Sequence, residues 1–379
     1  MKRSFILGIG IFTATSLLCA GQDVQLKTTD GVPHAINPAK PLKGTIVLDI
    51  ERTLTINPYD FPDFGMHSFD FVRNEEGDVI LYNSNEGAVH RFDSRGRNLG
   101  PLSRRGQGPG ELMPTVKPFF MSGRIWVASS RKLIEFDPSG SMRFEISIKE
   151  QPELMIDQNH YLARRTEKDR AGGLPHLFLS MIMLSGPASP IDKPLDFFGP
   201  VVEGVDRKNG SRFIDYWGGP RLCCGYDPAR KHVYAALNRE YQISVFDLAG
   251  KLTRIIGKEH VAVKTNLWDV EKAYSAFAAV DPKSPKEIAD IYPKTYAAFK
   301  KIEILKNGYV LVFRIVGMRK LEIDVFDPDG LYVYALQPPR GMSFEWASFH
   351  GRGFAVTEQS GDFEIYSDYR IKNLPRIFN

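Results

Sequence analysis

Four copies of a five-residue pattern, F-D-x-x-G, constrain this chain more than any other feature. They read "FDSRG" at 92–96, "FDPSG" at 136–140, "FDLAG" at 246–250 and "FDPDG" at 326–330. Each follows a short alternating stretch ("AVHR", "KLIE", "QISV", "LEIDV"). Each precedes another strand-like run, such as "MRFEISIK" or "LTRIIG". Asp suits the first position of a type I turn, Pro the second and Gly the fourth, so strand–turn–strand is written locally. The preceding Phe is expected to point into a sheet-packing layer.

The spacing predicts the architecture. Phe92 to Phe136 is 44 residues, the length of one four-stranded propeller blade. The interval from Phe136 to Phe246 is 110 and leaves room for one degenerate copy, supplied by "MIMLSG" at 181–186. Phe246 to Phe326 is 80, one repeat plus an insertion, and a worn copy, "EIYSDY", ends the series at 364–369. An upstream strand pair accompanies the units, clearest in "FDFVRNEEGDVILYNSN" (69–85), "LCCGYDPARKHVYAALN" (222–238) and "IEILKNGYVLVFRI" (302–315). Six such units predict an all-β, six-bladed β-propeller. Leucine-rich repeats are shorter, and a helical repeat would need a 3.6-residue period. The last unit runs out after three strands, around 343–372. "TIVLDIERTLTI" at 45–56 is therefore expected to close blade six as its outer strand, since an open ring would leave sheet edges exposed.

The stretch "VILYNSNEGAVHRFDSRGRNLGPLSRRGQGPGEL" resembles the bacterial six-bladed β-propeller proteins related to NHL repeats, in which F-D-x-x-G and a following G-x-G-P-G-E recur. The likeness is strong over 69–150, moderate over 221–338 and weak over blades three and six. It implies the fold. It also implies two kinds of relative, binding modules and channel enzymes of the lyase or lactonase-like hydrolase type, without choosing between them.

"GQGPGE" at 106–111 invites comparison with phosphate-binding loops, with Arg104 and Arg105 beside it. It lacks the Lys-Ser/Thr of a P-loop, and Glu111 stands where G-x-G-x-x-G needs its third glycine. The loop is read as turn chemistry between the outer strand of blade one and the inner strand of blade two.

The N-terminus reads as an export signal over 1–21. Lys2 and Arg3 precede an apolar run, Phe5 to Leu18, too short to span a membrane comfortably, and small residues follow at Ala20 and Gly21. Cys19 raises lipoprotein anchoring as an alternative, but Leu18 is a poor residue before a lipidated cysteine. The location is read as periplasmic, cell-surface or extracellular. Residues 22–43 are read as a linker and 44–376 as the propeller. No later stretch is long and apolar enough for a membrane span. Removing Lys2 and Arg3 takes the formal charge from +4 to +2. With no basic run, nucleic acid is not an expected partner. The chain is read as a monomer whose partner is an unidentified protein or small molecule.

Cys223 and Cys224 would be the two cysteines of the mature chain. They are read either as small buried hydrophobes on a strand or as a strained vicinal disulfide, because neighbouring α-carbons about 3.8 Å apart lie below the usual disulfide range.

Residues 265–299, between blades four and five, break the strand pattern. "SPKEIADIY" opens with a capping box, Ser284 with Glu287, and Pro285 at the first helical position. "DVEKAYSAFAAV" reads as a second short helix. The insertion is expected to serve either as a lid or docking element or as a packed decoration.

No H-E-x-x-H, C-x-x-C or G-x-S-x-G pattern occurs, so no cofactor, transition-metal site or nucleophile elbow is evident. Calcium has only "DPDG" at 327–330 to suggest it, and the turn repeat already explains that stretch. A propeller gathers its channel from the inner strand of every blade. These strands are read as "HSFDFV" (67–72), "KPFF" (117–120), "LMID" (154–157), "RLCCGY" (221–226), "KKIEI" (300–304) and "FEWASF" (344–349). They make His67, Asp70, Asp157, Arg221, Cys223, Cys224, Glu303 and Glu345 the candidate channel residues, although strand alternation would turn some of them sideways. With no acid–base or metal cluster in view, the preferred reading is a non-catalytic exported binding or scaffold protein that presents its channel mouth and helical insertion. The alternative is a propeller lyase or lactonase-like hydrolase with a channel active site, with or without a divalent metal.

Overall fold

The four F-D-x-x-G segments form the turns their residues dictate. The Asp93 carbonyl accepts the Gly96 N–H at 2.8 Å. Asp93 Oδ1 accepts the N–H groups of Arg95 and Arg97 at 3.0 and 2.9 Å. The same pattern recurs at Asp247 and Asp327. The closing glycines, Gly96, Gly140, Gly250 and Gly330, have φ of +77°, +89°, +78° and +86°, where a Cβ would be strained. Phe92, Phe136, Phe246 and Phe326 are all buried.

The computed structural model describes residues 24–61, 69–84, 86–167, 176–184, 195–201, 219–266, 294–361 and 363–375. It is an all-β, six-bladed β-propeller. The inner strands are Asp70–Arg73, Lys117–Met121, Pro152–Met155, Leu222–Asp227, Phe299–Ile304 and Ser348–His350. Each begins an antiparallel meander, so all six start at one face of the disc, here the upper face, and end at the lower. Six buried apolar clusters, one in each seam between neighbouring blades, hold the ring together.

The ring closes as expected, with one correction. Ile50–Ile56 pairs antiparallel with Phe363–Ile371 and completes blade six, matching Ile56 to Tyr366 and Ile50 to Ile371. Thr45–Val47 does not share that sheet. It runs parallel to Tyr332–Gln337 at the rim of blade five. The stretch read as one strand is thus divided between two blades.

A second correction concerns the segment 22–43. Gln25–Thr29 and Val32–Asn37 form a hairpin, and the latter strand joins blade four in parallel against Leu252–Lys258. Asn37 holds it there. Its buried amide donates to the carbonyls of Gly257 and Gly330, each at 2.9 Å, and its Oδ1 accepts the Tyr332 N–H at 2.8 Å.

The insertion is anchored between blades four and five. Lys264 and Thr295 form an isolated bridge, and the Tyr296 N–H donates to Val263 O at 2.9 Å. Tyr296 to Phe299, counted with the insertion in the sequence, instead belong to the buried core of blade five. The two expected helices, the segment read as an export signal with Cys19, and His67 lie outside the described residues.

The glycine loop encloses an anion of its own. Glu111 turns back so that Oε2 accepts the Gly108 N–H at 2.8 Å and Oε1 meets Arg104 Nε at 2.5 Å. A Cβ on Gly106 would come within 2.0 Å of that carboxylate. The glycine makes room for Glu111, whose carboxylate takes up the loop's own Gly108 N–H and Arg104 guanidinium.

Candidate functional site

Each blade brings one ionisable residue to the upper end of its inner strand. These are Asp70, Lys117, Glu153, Arg221, Lys300 and Glu345 in blades one to six, all at or within three residues of the strand's first residue. Lys117 Nζ lies 2.9 Å from Glu153 Oε2, and Arg164 Nε lies 2.9 Å from Oε1 of the same carboxylate. Lys300 Nζ lies 3.5 Å from Glu345 Oε1 and 4.2 Å above the ring of Trp346. Trp346 is 54% exposed, which is unusual for so large an apolar side chain beside a channel.

The ring is electrostatically uneven. Burial alone would raise the Glu153 carboxyl pKa, but Lys117 and Arg164 outweigh it and hold the group below its usual range. Burial pushes the Lys300 ammonium down to about 8 against the pull of Glu345, and Lys301 and Arg221 add to the shift. Asp70 moves the other way. Enclosure by protein raises its pKa, Glu364 adds like-charge repulsion, and Lys300 only partly offsets them. The Glu364 carboxylate is fixed by the Phe69 N–H at 3.2 Å. Beside these two acids is a cavity of about 210 Å³, lined also by Tyr82, Asn83, Trp346 and Thr357.

Asp70, Arg221 and Glu345 therefore do come together at one mouth. The other candidates do not join them. Asp157 lies at the lower end of blade three, where it accepts the Asn159 N–H at 2.7 Å and pairs with His160 Nδ1 at 2.8 Å. Glu303 is a clamp in the seam between blades five and six, joining Lys301 Nζ at 2.7 Å to the Phe349 N–H at 2.9 Å. "FEWASF" is not a whole inner strand, because only Ser348–His350 is extended and Glu345 and Trp346 stand on the loop before it.

Cys223 and Cys224 are both free thiols. Alternation along Leu222–Asp227 sends them to opposite sides. Cys223 packs into the seam with blade five, its Sγ 3.3 Å from Lys300 O. Cys224 packs toward blade three, and burial pushes its thiol up to about 11, with Glu153 adding to the shift. The vicinal disulfide is thus not formed. Of these two thiols, a chromogenic disulfide reagent should titrate neither at pH 7 in the folded protein and both after denaturation; rapid native labelling would contradict this placement.

Lys117, Glu153, Lys300, Trp346 and Glu364 were not among the residues singled out from sequence. Lys117 sits in its expected inner strand at the same register as Asp70, and Lys300 lies one residue into its own, at a register shift between Phe299 and Ile302. Comparing the first residues of the inner strands across the blades would have found them.

Neither a family model nor a curated protein matches the sequence. Solved structures do. A crystal structure of a DUF4221 family member from Bacteroides vulgatus is similar with a TM-score of 0.52 and 11% identity, over 86% of this chain and 99% of that one. A putative exported protein from Bacteroides fragilis is similar with a TM-score of 0.50 and 10% identity, over 89% and 100%. A calcium-binding regucalcin from Agrobacterium tumefaciens has a TM-score of 0.42 at 9% identity, over 88% and 98%. Identities this low establish the shared propeller fold and leave the ligand to be argued from the site. Among the described residues no helix is long and apolar enough to cross a membrane.

Proposed function

We propose that this chain is an exported, non-catalytic β-propeller that binds a small polar ligand at the upper mouth of its channel. The carrying observation is a cavity at that mouth which holds the Asp70–Glu364 pair beside exposed Trp346, with the Lys300 ammonium close enough to act on Asp70. Glu153 and Glu345 are committed to ion pairs, which leaves Asp70 and Glu364 as the acids best placed to meet a ligand's donors. A cationic or hydroxyl-rich group between them would relieve their repulsion while an apolar edge rests on Trp346.

Catalysis has one feature in its favour. Asp70 and Lys300 are both shifted toward neutrality, as acid–base groups are. No group of three or more His, Cys, Asp or Glu among the described residues is arranged to hold a metal.

The test is a thermal-shift and calorimetric screen of amines, sugars and small zwitterions, each hit being followed for chemical change. Saturable binding without turnover, weakened about tenfold by Asp70→Asn, is the expected result. Consumption of the ligand would transfer the site to the hydrolase or lyase class. In the absence of ligand, Asp70→Asn should raise stability at pH 7. Asp70 has a higher pKa folded than unfolded, so its charge opposes folding above that pKa, and the cost disappears as pH falls through it. The variant's advantage should shrink on acidification. An advantage independent of pH would mean that Asp70 is not strained by its neighbours.

A further inference from the structure

The lower face carries a second, larger cavity of about 630 Å³, opened by the turns that end the inner strands of blades one, five and six. It is distinct from the upper mouth and has the opposite electrostatic character. Arg73, Lys306, His350, Arg352 and Arg370 line it, against the two acids Asp368 and Glu75.

Both acids are already engaged. Asp368 is buried, with Oδ2 bound by Arg73 Nε at 2.8 Å and Oδ1 by His350 Nε2 at 2.8 Å. Glu75 pairs with Lys306 across the opening, tying the turn of blade one to that of blade five. Arg370 is paired with Glu51 at 2.6 Å. Arg352 is exposed and, among the described residues, has no acidic partner.

The backbone is shaped to hold the histidine there. Gly351 has φ +44°. A Cβ on Gly353 would stand 2.9 Å from His350 Cε1 and 2.3 Å from the Tyr369 carbonyl oxygen. Only glycine allows the strand to pass that close. Because Nε2 donates to Asp368, the other ring nitrogen, Nδ1, is left for a ligand: it donates to an anion's oxygen when the ring is protonated and accepts the proton of a P–OH group when the ring is neutral.

We propose that this cavity is a binding site for a small oxyanion, held by the Arg352 guanidinium and the Asp368-oriented His350 ring. The anion would neutralise Arg352, the arginine of this cavity's lining that has no acidic partner among the described residues. A planar guanidinium suits two oxygens of a phosphate or carboxylate at once.

The probe is inorganic phosphate added to the full chain at constant ionic strength. The ring nitrogens of His350 are followed by NMR and assigned by the peak missing in His350→Gln. A saturable shift is expected in the wild type. Arg352→Ala should weaken it about tenfold, and Arg352→Lys should restore part of the loss. Asp70→Asn should leave it unchanged, which separates this site from the upper mouth. A shift that rises linearly and is matched by chloride would overturn the proposal, as would one that Arg352→Ala does not weaken.

Discussion

Replacing Asp324 with Ala should cost about 3–5 kcal/mol of folding stability, the largest loss expected from any single substitution in this protein. Asp324 is completely buried in the seam between blades four and five and serves four partners. Lys258 Nζ lies 2.6 Å from Oδ2, and Arg314 Nε lies 3.2 Å from the same oxygen. Tyr241 Oη donates to Oδ2 at 2.6 Å and Tyr332 Oη to Oδ1 at 2.7 Å. The Lys258 ammonium is itself buried and lies 4.0 Å above the Tyr332 ring. Without the carboxylate that ammonium loses its paired counter-charge and two phenol hydroxyls lose their acceptor, and the desolvation cost of a buried cation is large.

Two further measurements show whether the loss comes from the orphaned cation or from packing. Burial by itself would raise the Asp324 pKa, but Lys258 and Arg314 more than reverse it, so the group titrates below the usual carboxylate range. Its stabilisation is full above the unfolded carboxyl pKa and declines as pH falls through the folded one. The gap between wild type and Asp324→Ala in urea midpoint should therefore narrow on acidification. The double variant Asp324→Leu with Lys258→Met should recover most of the loss, because a well-packed apolar pair can replace a buried ion pair. A double variant no more stable than Asp324→Ala would show that the seam depends on its geometry, not its charges.

Deleting residues 1–57 should abolish the folded monomer, whereas deleting 1–36 should leave it folded. The longer deletion removes the outer strand of blade six, together with its ladder to Phe363–Ile371 and the buried side chains of Leu48 and Ile56. Six paired positions at about 1 kcal/mol per hydrogen bond, plus about 2 kcal/mol for each buried aliphatic side chain, come to roughly 10 kcal/mol. That is on the order of the whole net stability of a domain. The newly exposed edge would also be a site for aggregation. The shorter deletion removes Gln25–Thr29, which is exposed throughout, and all of Val32–Asn37 but its last residue; it costs a short parallel ladder at the rim of blade four, keeps the Asn37 anchor and leaves every blade's four-stranded meander intact. Size-exclusion chromatography of both products decides the matter. A soluble, cooperatively unfolding 58–379 fragment would show that closure is dispensable, while rescue of that fragment by a 44–57 peptide would locate the loss in the missing strand.

The turns and the blade count were legible in the sequence because their interactions are local. Asp93, Asp247 and Asp327 each bond backbone groups only two to four residues away, and their glycines need nothing distant to take a positive φ. The alternation that buries Phe92 and Phe326 is equally local. Even ring closure could be inferred, since a three-stranded last unit and an unpaired N-terminal strand complement each other.

What the chain does with its faces was decided by the tertiary structure. Lys117 meets Glu153, and Lys300 meets Glu345, only because neighbouring blades place their inner strands side by side, and no local pattern encodes a contact across 36 or 45 residues. Cys223 and Cys224 are adjacent in sequence yet serve different seams, because the strand's pleat separates what the chain joins. The hairpin at 25–37 read as a linker because its partners, Gly257, Gly330 and Tyr332, are 220 to 295 residues away. Sequence determined this protein where its energetics are settled within a few residues. Structure decided it where charges from different blades share one channel mouth or one seam.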